Sequence, residues 1–306
     1  MLIGLVLKIL ATALVVIAVT VIVGRLGPRL GGIFAGTPII LGPGFFFLLR
    51  EQPPAFVASA AVSSLHALTA TLVFTVIYVL CARRFGAWAS VALATFAWLP
   101  AAWFFAALPD LCQGLAGGPS GNLAGDPFIA LAGDLAGNNQ VPAPEVGIGA
   151  GLGLGLLAYV LVYLAARWIN RRLDLPPPRG AASAGWPDLL IRGGLAGLLV
   201  GLATSVAALS GPVLSGLLVG FPVGLISIGL TLQQRYGVAV LQATLMAVQP
   251  ALFSLVAFTV TVGLTAERMA PMPSFGIALV ASIGVSLGLL VLSRSGPRQS
   301  LFRRVT

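Results

Sequence analysis

Long apolar runs, joined by short polar or Gly/Pro-rich segments, organise this chain. The runs lack the polar stripe that a helix at a water-facing surface shows every three to four residues. Several of them reach the about 20 residues needed to cross a hydrocarbon core of about 30 Å. On that measure the pattern predicts nine membrane spans, at 3–24, 28–49, 54–81, 87–108, 146–166, 189–209, 212–232, 238–266 and 275–292. The third and eighth are long enough to cross at a tilt. The opening MLIGLVLKILATALVVIAVTVIVG has no charged n-region and no small-residue cleavage site. It therefore reads as a first transmembrane helix rather than a signal peptide.

Composition points to the same solvent. Of 306 residues only 8% are charged and 58% are hydrophobic, with a mean hydropathy of +1.03. A soluble domain needs several times more charge to clothe its surface. The net charge of +9 does not mark a nucleic-acid binder, because the arginines stand singly or in pairs between apolar runs and form no basic stripe. They follow the rule for membrane topology instead. An outside N-terminus puts Arg25, Arg29, Arg83, Arg84, Arg167, Arg171, Arg172, Arg179, Arg192, Arg235 and the basic tail in the cytoplasm. Outside remain Arg50 and Arg268, each beside an acid, with Lys8 near the outer end of the first span. The segment 109–145 holds Asp110, Asp126, Asp134 and Glu145 without a basic residue, as an external loop would, with a short helix expected at 126–135. Cys81 and Cys112 then lie on opposite sides and do not pair, and no Cys/His spacing suits a metal.

One segment aligns with a second copy 184 residues later without gaps. Residues 27–38 (GPRLGGIFAGTP) meet 211–222 (GPVLSGLLVGFP), sharing G-P-x-L-x-G-x-x-x-G-x-P. The same offset superposes the first four spans on the last four. Gly-x-x-x-Gly alone is common helix-packing glue, but that reading leaves the prolines and the second copy unexplained. The odd span between the copies turns the second one over. The expected architecture is all-α and polytopic, two inverted four-helix repeats joined by a linking helix. The repeats cover 1–108 and 189–293. Between them lie the external loop 109–145 and a linking helix with cytoplasmic loop at 146–188, and a basic tail follows at 294–306.

Thr37-Pro38 and Phe221-Pro222 fall about ten residues into their spans, near mid-membrane at about 1.5 Å per residue. Proline there removes a donor and disfavours helix in the residue before it. It can end one half-helix and open the next, with Thr37 as a cap. Gly/Pro-interrupted helices at matched places in two repeats point to a transporter's solute site, and half-helix N-termini favour anions. The candidate solute-binding residues are Gly36, Thr37, Pro38, Gly220, Phe221 and Pro222. Ser63, His66 and Gln249, halfway along the third and eighth spans, complete the set. His66, the one histidine, is also the candidate for carrying a coupling proton; the bland alternative is helix-packing glue. Arg29 reads as a topology determinant.

The stretch Arg25–Pro38 resembles the opening of GlpM-type small bacterial inner-membrane proteins, which implies a fused or duplicated relative in a bacterial inner (plasma) membrane. The architecture is also similar to inverted-repeat carriers of the bile-acid-transporter kind, except that their broken helix comes late in each repeat and here comes second. Together these readings predict a secondary carrier of a small polar or anionic solute, with proton-coupled export as the candidate mode. A channel or membrane-assembly partner is the runner-up and an intramembrane enzyme a distant third, since the spans carry no acidic constellation. No Walker motif or other cofactor signature occurs. The expected partners are the lipid bilayer and the solute, with a homodimer open.

Overall fold

The computed structural model describes residues 2–25, 38, 41–115, 147–173 and 186–295. Gly36 and Thr37, the short helix expected at 126–135 and the tail beyond 295 lie outside them. The described residues form helices and no strand: α1 (Leu2–Arg25), α2 (Leu41–Glu51), α3 (Pro54–Cys81), α4 (Ala87–Leu115), α5 (Ile148–Arg172), α6 (Trp186–Val219), α7 (Val223–Tyr236), α8 (Val238–Thr265) and α9 (Pro271–Ser295).

Six apolar stretches are long enough to cross a membrane, by length and composition: Pro54–Cys81, Ala87–Pro109, Ile148–Arg172, Gly211–Tyr236, Val238–Thr265 and Pro271–Leu292. The first and sixth expected spans correspond to shorter apolar stretches, Leu5–Ala18 and Gly193–Leu202. The second retains α2, of 11 residues. Side chains facing outward are apolar, with Leu7, Phe96, Val280 and Leu292 between 66% and 74% exposed. Large hydrophobic residues left so open on every outer helix suit a lipid surface, not water. The described residues are all-helical, with the apolar outer surface expected of a membrane protein.

Helix ends depart from the apolar runs where polar residues still form helix. α4 continues through Pro109 to Leu115, and α5 continues through Arg167 to Arg172. Apolarity marks the depth of hydrocarbon, whereas backbone hydrogen bonds persist into the headgroup zone. The boundary expected between residues 209 and 212 is present: two helical arms of α6 meet there at Gly211. Gly211 has φ 70° and ψ 173°, a left-handed backbone that glycine adopts without a Cβ penalty. The helix resumes at Pro212 and stops at Val219.

α3 is the central helix, with 78% of its apolar window buried against 17% for α9. It packs against α4, α5, α6 and α8. Its contacts with α8 run in opposite order along the two chains: Ala61 faces Gly263, Thr75 meets Gln249 and Val79 meets Gln242. The two helices are therefore antiparallel. Both have 28 residues, and their first residues, Pro54 and Val238, are 184 apart. Ala87 and Pro271, which open α4 and α9, are also 184 apart, as are Leu2 and Trp186, which open α1 and α6.

The contacts between α1 and α6 obey the same exchange. A Cβ at Gly193 would meet Ile17 side-chain atoms at 2.7 Å, and one at Gly201 would meet Ile9 at 2.5 Å. Subtracting 184 from one residue of the first contact and adding it to the other yields the second. Likewise Gly193 abuts the Ala13 carbonyl and Gly197 abuts the Ile9 carbonyl. Ala13 against Gly197 exchanges into itself, so the local axis passes between them.

Charge divides between the two ends of the bundle. At one end Lys8 Nζ pairs with Glu51 Oε2 at 2.5 Å, so Glu51 is taken by α1 rather than by neighbouring Arg50, whose guanidinium lies over the Phe46 ring. At the other end Arg83 donates to the Leu173 carbonyl at 2.8 Å and Gln233 to the Phe85 carbonyl at 3.1 Å. Those bonds gather the α3–α4 turn with the ends of α5 and α7, bringing Arg83, Arg84, Arg171, Arg172 and Arg235 to one face of the bundle.

Close docking at Gly197 sets a test. Gly197→Ala places its Cβ against the Ile9 carbonyl, a backbone atom that cannot swing away, and should cost about 1–3 kcal/mol. Gly194→Ala meets nothing within 4 Å and should be neutral or stabilising by up to about 1 kcal/mol. Unfolding of the purified protein in detergent, followed by tryptophan fluorescence, checks the difference.

Candidate functional site

The second motif is a true interruption. α6 ends at Val219, Gly220 turns with its N–H still bonded to the Gly216 carbonyl at 3.0 Å, and Phe221 bonds back to Leu218 at 3.2 Å. Pro222, at φ −80° and ψ 46°, then makes a tight turn closed by Val223 N–H on the Phe221 carbonyl at 2.8 Å. That is the inverse γ-turn geometry. Pro222 stands as the N-cap of α7, and Ile226 N–H bonds to its carbonyl at 3.0 Å. Among the described residues no backbone acceptor faces the N–H groups of Gly224 and Leu225. They lie at the positive end of α7.

Pro38 repeats this feature at the matched place. It is buried, lies outside helix, and accepts from Gly42 N–H at 2.7 Å. The bonds Gly42–Pro38 and Ile226–Pro222 are one bond displaced by 184 residues. The two interrupted segments also touch: a Cβ at Gly44 in α2 would sit 2.7 Å from Val219 Cγ1, one residue before the second interruption.

α3 supplies the wall behind the interruption. A Cβ at Gly220 would lie 2.5 Å from Ala67 Cβ, and one at Gly216 would lie 2.8 Å from Ser63 Cβ. Such contact puts backbone against backbone, which only small residues permit. Ser64 Oγ donates across the gap to the Gly216 carbonyl at 2.8 Å, while Ser63 Oγ turns back to the Ser59 carbonyl at 3.2 Å. Trp98 of α4 closes the other side, its ring 4.9 Å from that of Phe221 and edge-on at 84°. Its indole N–H donates to Thr71 Oγ1 at 3.2 Å.

The structure thus gathers Ser63, Gly220, Phe221 and Pro222 and leaves His66 and Gln249 apart from them. His66 is 1% exposed and faces α5, where a Cβ at Gly155 would lie 3.1 Å from Nε2. α5 approaches α3 along Val62, Leu65 and His66, whereas α6 approaches along Ala60, Ser63 and Ala67. Gln249 belongs to a chain of side chains nearer the arginine-rich end. Asn170 Nδ2 donates to Gln249 Oε1 at 2.7 Å, Gln249 Nε2 to Thr75 Oγ1 at 3.0 Å, and Thr75 to the Leu72 carbonyl at 2.7 Å. The chain ties α5, α8 and α3 together. Asn170, Thr75 and Trp98 were not legible as site residues, because periodicity shows neither which face of an apolar helix turns inward nor which helix it meets. No group of His, Cys, Asp or Glu among the described residues is placed to hold a metal ion.

Fold and site define an all-helical chain with helices apolar enough to cross a membrane, one of them interrupted at Gly220-Phe221-Pro222. Comparison with protein-family models, curated proteins and solved structures returned no match to this chain.

Gln249→Leu removes the centre of the Asn170–Gln249–Thr75 chain and leaves the Asn170 amide nitrogen without its acceptor in an apolar interior. It should lower stability by about 1–2 kcal/mol, read as a lower thermal midpoint, whereas the adjacent Val248→Leu should change it little.

Proposed function

We propose that this protein is a secondary carrier working by alternating access, with the two Gly/Pro interruptions as its solute site. The observation that carries the reading is the exchange of contacts under the 184-residue offset between antiparallel helices. A two-fold axis in the membrane plane makes matched helices antiparallel, whereas an axis along the membrane normal leaves them parallel. The antiparallel pairs α3 with α8 and α1 with α6 therefore support inverted repeats, counted as nine spans when α1, the 28–49 segment and the first arm of α6 are included. Matched capping bonds at Pro38 and Pro222, and the contact of Gly44 with Val219, support a site where the two interruptions meet.

The chemistry expected there is recognition of a small polar or anionic solute. Phe221 and Trp98 supply an apolar wall, and the N–H groups at the start of α7 supply donors without a formal charge. His66 remains the candidate for the coupling proton, set apart from the solute. In this reading the arginine-rich end is cytoplasmic and the Lys8–Glu51 end faces outward, the arrangement expected of a bacterial inner-membrane protein. A GlpM-like ancestry, duplicated and fused, fits the paired motifs.

Two experiments test these statements. Purified protein is screened by thermal shift against organic anions, amino acids, phosphorylated solutes and cationic drugs. An anionic or polar solute should raise the midpoint of the parent and do so less for Pro38→Ala and Pro222→Ala, with membrane insertion intact. A panel without any hit moves the assignment to a channel or membrane-assembly partner. For orientation, Cys81 and Cys112 are replaced by serine and single cysteines introduced as Arg268→Cys and Arg84→Cys. An impermeant maleimide should label the first in intact cells and the second only after permeabilisation; the reverse pattern inverts the topology.

A further inference from the structure

Three buried polar atoms on the α3–α5 seam lack a hydrogen-bond partner among the described residues: His66 Nε2, Tyr159 OH and Asn170 Oδ1. Their side chains are 1%, 0% and 6% exposed. Buried polar atoms in native proteins are nearly always paired with protein or with ordered water, and one orphan can be a local defect. Three along one seam form a pattern. Gly155, Tyr159 and Asn170 share a face of α5, being separated by four and eleven residues, about one and three helical turns. Gly155 has no side chain, and His66 Nε2 comes to within 3.1 Å of where its Cβ would be. Helical side chains lean toward the N-terminus of their helix, so Tyr159 leans toward Gly155, against which Leu65 Cδ2 and His66 Nε2 pack. Its ring is held edge-on against Phe253 of α8, with centroids 5.0 Å apart. At the far end Asn170 keeps its amide nitrogen on Gln249 and leaves its oxygen unpaired.

We propose that His66, Tyr159 and Asn170 line a water-filled proton route between α3, α5 and α8, separate from the interrupted helices. It rests on the carrier reading for its purpose, though not for its existence. His66 takes a proton from water in the seam on its unpaired ring nitrogen and returns it to water on the other side. Nothing else in the seam competes for that proton. α8 carries no titratable side chain, and the stretch of α4 packed on α3 has none before Asp110. α6 beyond Arg192 and α7 before Arg235 have none. α5 contributes Tyr159 and Tyr163, then Arg167, Arg171 and Arg172 near the end where Asn170 stands.

The test is X-ray radiolytic labelling of the full purified chain in ¹⁸O-water, which oxidises side chains that touch bound water even where bulk solvent is excluded. His66 and Tyr159 should take up label, while Phe74 and Phe258, equally buried without a polar group, should stay silent. Silence at either His66 or Tyr159 overturns the proposal. Tyr159→Phe keeps the ring against Phe253 and removes only the hydroxyl. If water satisfies that hydroxyl, the variant's thermal midpoint stays level or falls and the His66 label is lost. A raised midpoint means a dry, unsatisfied hydroxyl was removed, and it overturns the proposal. Neither readout uses solute or flux, so a failed carrier assay and a dry seam are told apart.

Discussion

Hydrocarbon offers no hydrogen-bond partner, and that constraint governs where this chain can leave helical geometry. The interruption at Gly220-Phe221-Pro222 frees backbone groups in the middle of an apolar stretch, which is tolerable only against protein or a wet cavity. α3 is the shield. Ala60, Ser63, Ser64 and Ala67 are small enough to let the α6 backbone come into contact, and Ser64 satisfies the Gly216 carbonyl directly. A bulky residue at any of these places would force the two backbones apart and open the interruption to lipid. The burial of α3 is thus a consequence of what it has to cover.

The same constraint explains the glutamines. The Val79 carbonyl in the last turn of α3 accepts from Gln242 at 2.9 Å, and Phe85 in the following turn accepts from Gln233. Helix ends leave carbonyls without intrahelical donors, and here the second half of the chain satisfies those of the first. Because α3 and α8 are antiparallel, the end of one lies beside the start of the other, so side chains early in α8 reach the last turn of α3. Topology and hydrogen-bond satisfaction are therefore one arrangement.

Much of this was legible in residue order. Apolar runs located the starts of α3 and α8 at Pro54 and Val238, each preceded by a punctuating residue, Pro53 or Gly237. The motif marked the interruption at Pro222 because Pro and Gly change backbone energetics wherever they occur. What could not be read was rotation and neighbourhood. In a helix apolar all round, no polar stripe says which side faces inward, so His66 and Ser63 looked like members of one site although Ser63 meets α6 and His66 meets α5. Asn170 sat among arginines at the end of an apolar run, where a solvent-facing residue is the ordinary expectation. It is buried because α5 continues as helix past that run and turns this position onto Gln249. The boundary between the sixth and seventh spans was placed at residues 209–212, and the helical break falls there, at Gly211.

α5 has no counterpart in the repeated halves, and this gives the asymmetry a physical role. The exchange by 184 pairs His66 with Pro250 and Thr75 with Thr259, but only the first half's side of the α3–α8 pair receives α5. Contacts that repeat under this exchange make the surfaces of the two halves alike, and a helix added on one side must break that likeness. The polar side chains collect where it is broken: His66 against Gly155, and Gln249 between Asn170 and Thr75. The interruptions, by contrast, obey the exchange, with the same capping bond at Pro38 and Pro222. The polar seam along α5, which packs a helix on one side of the pair, is where the side chains depart from that exchange.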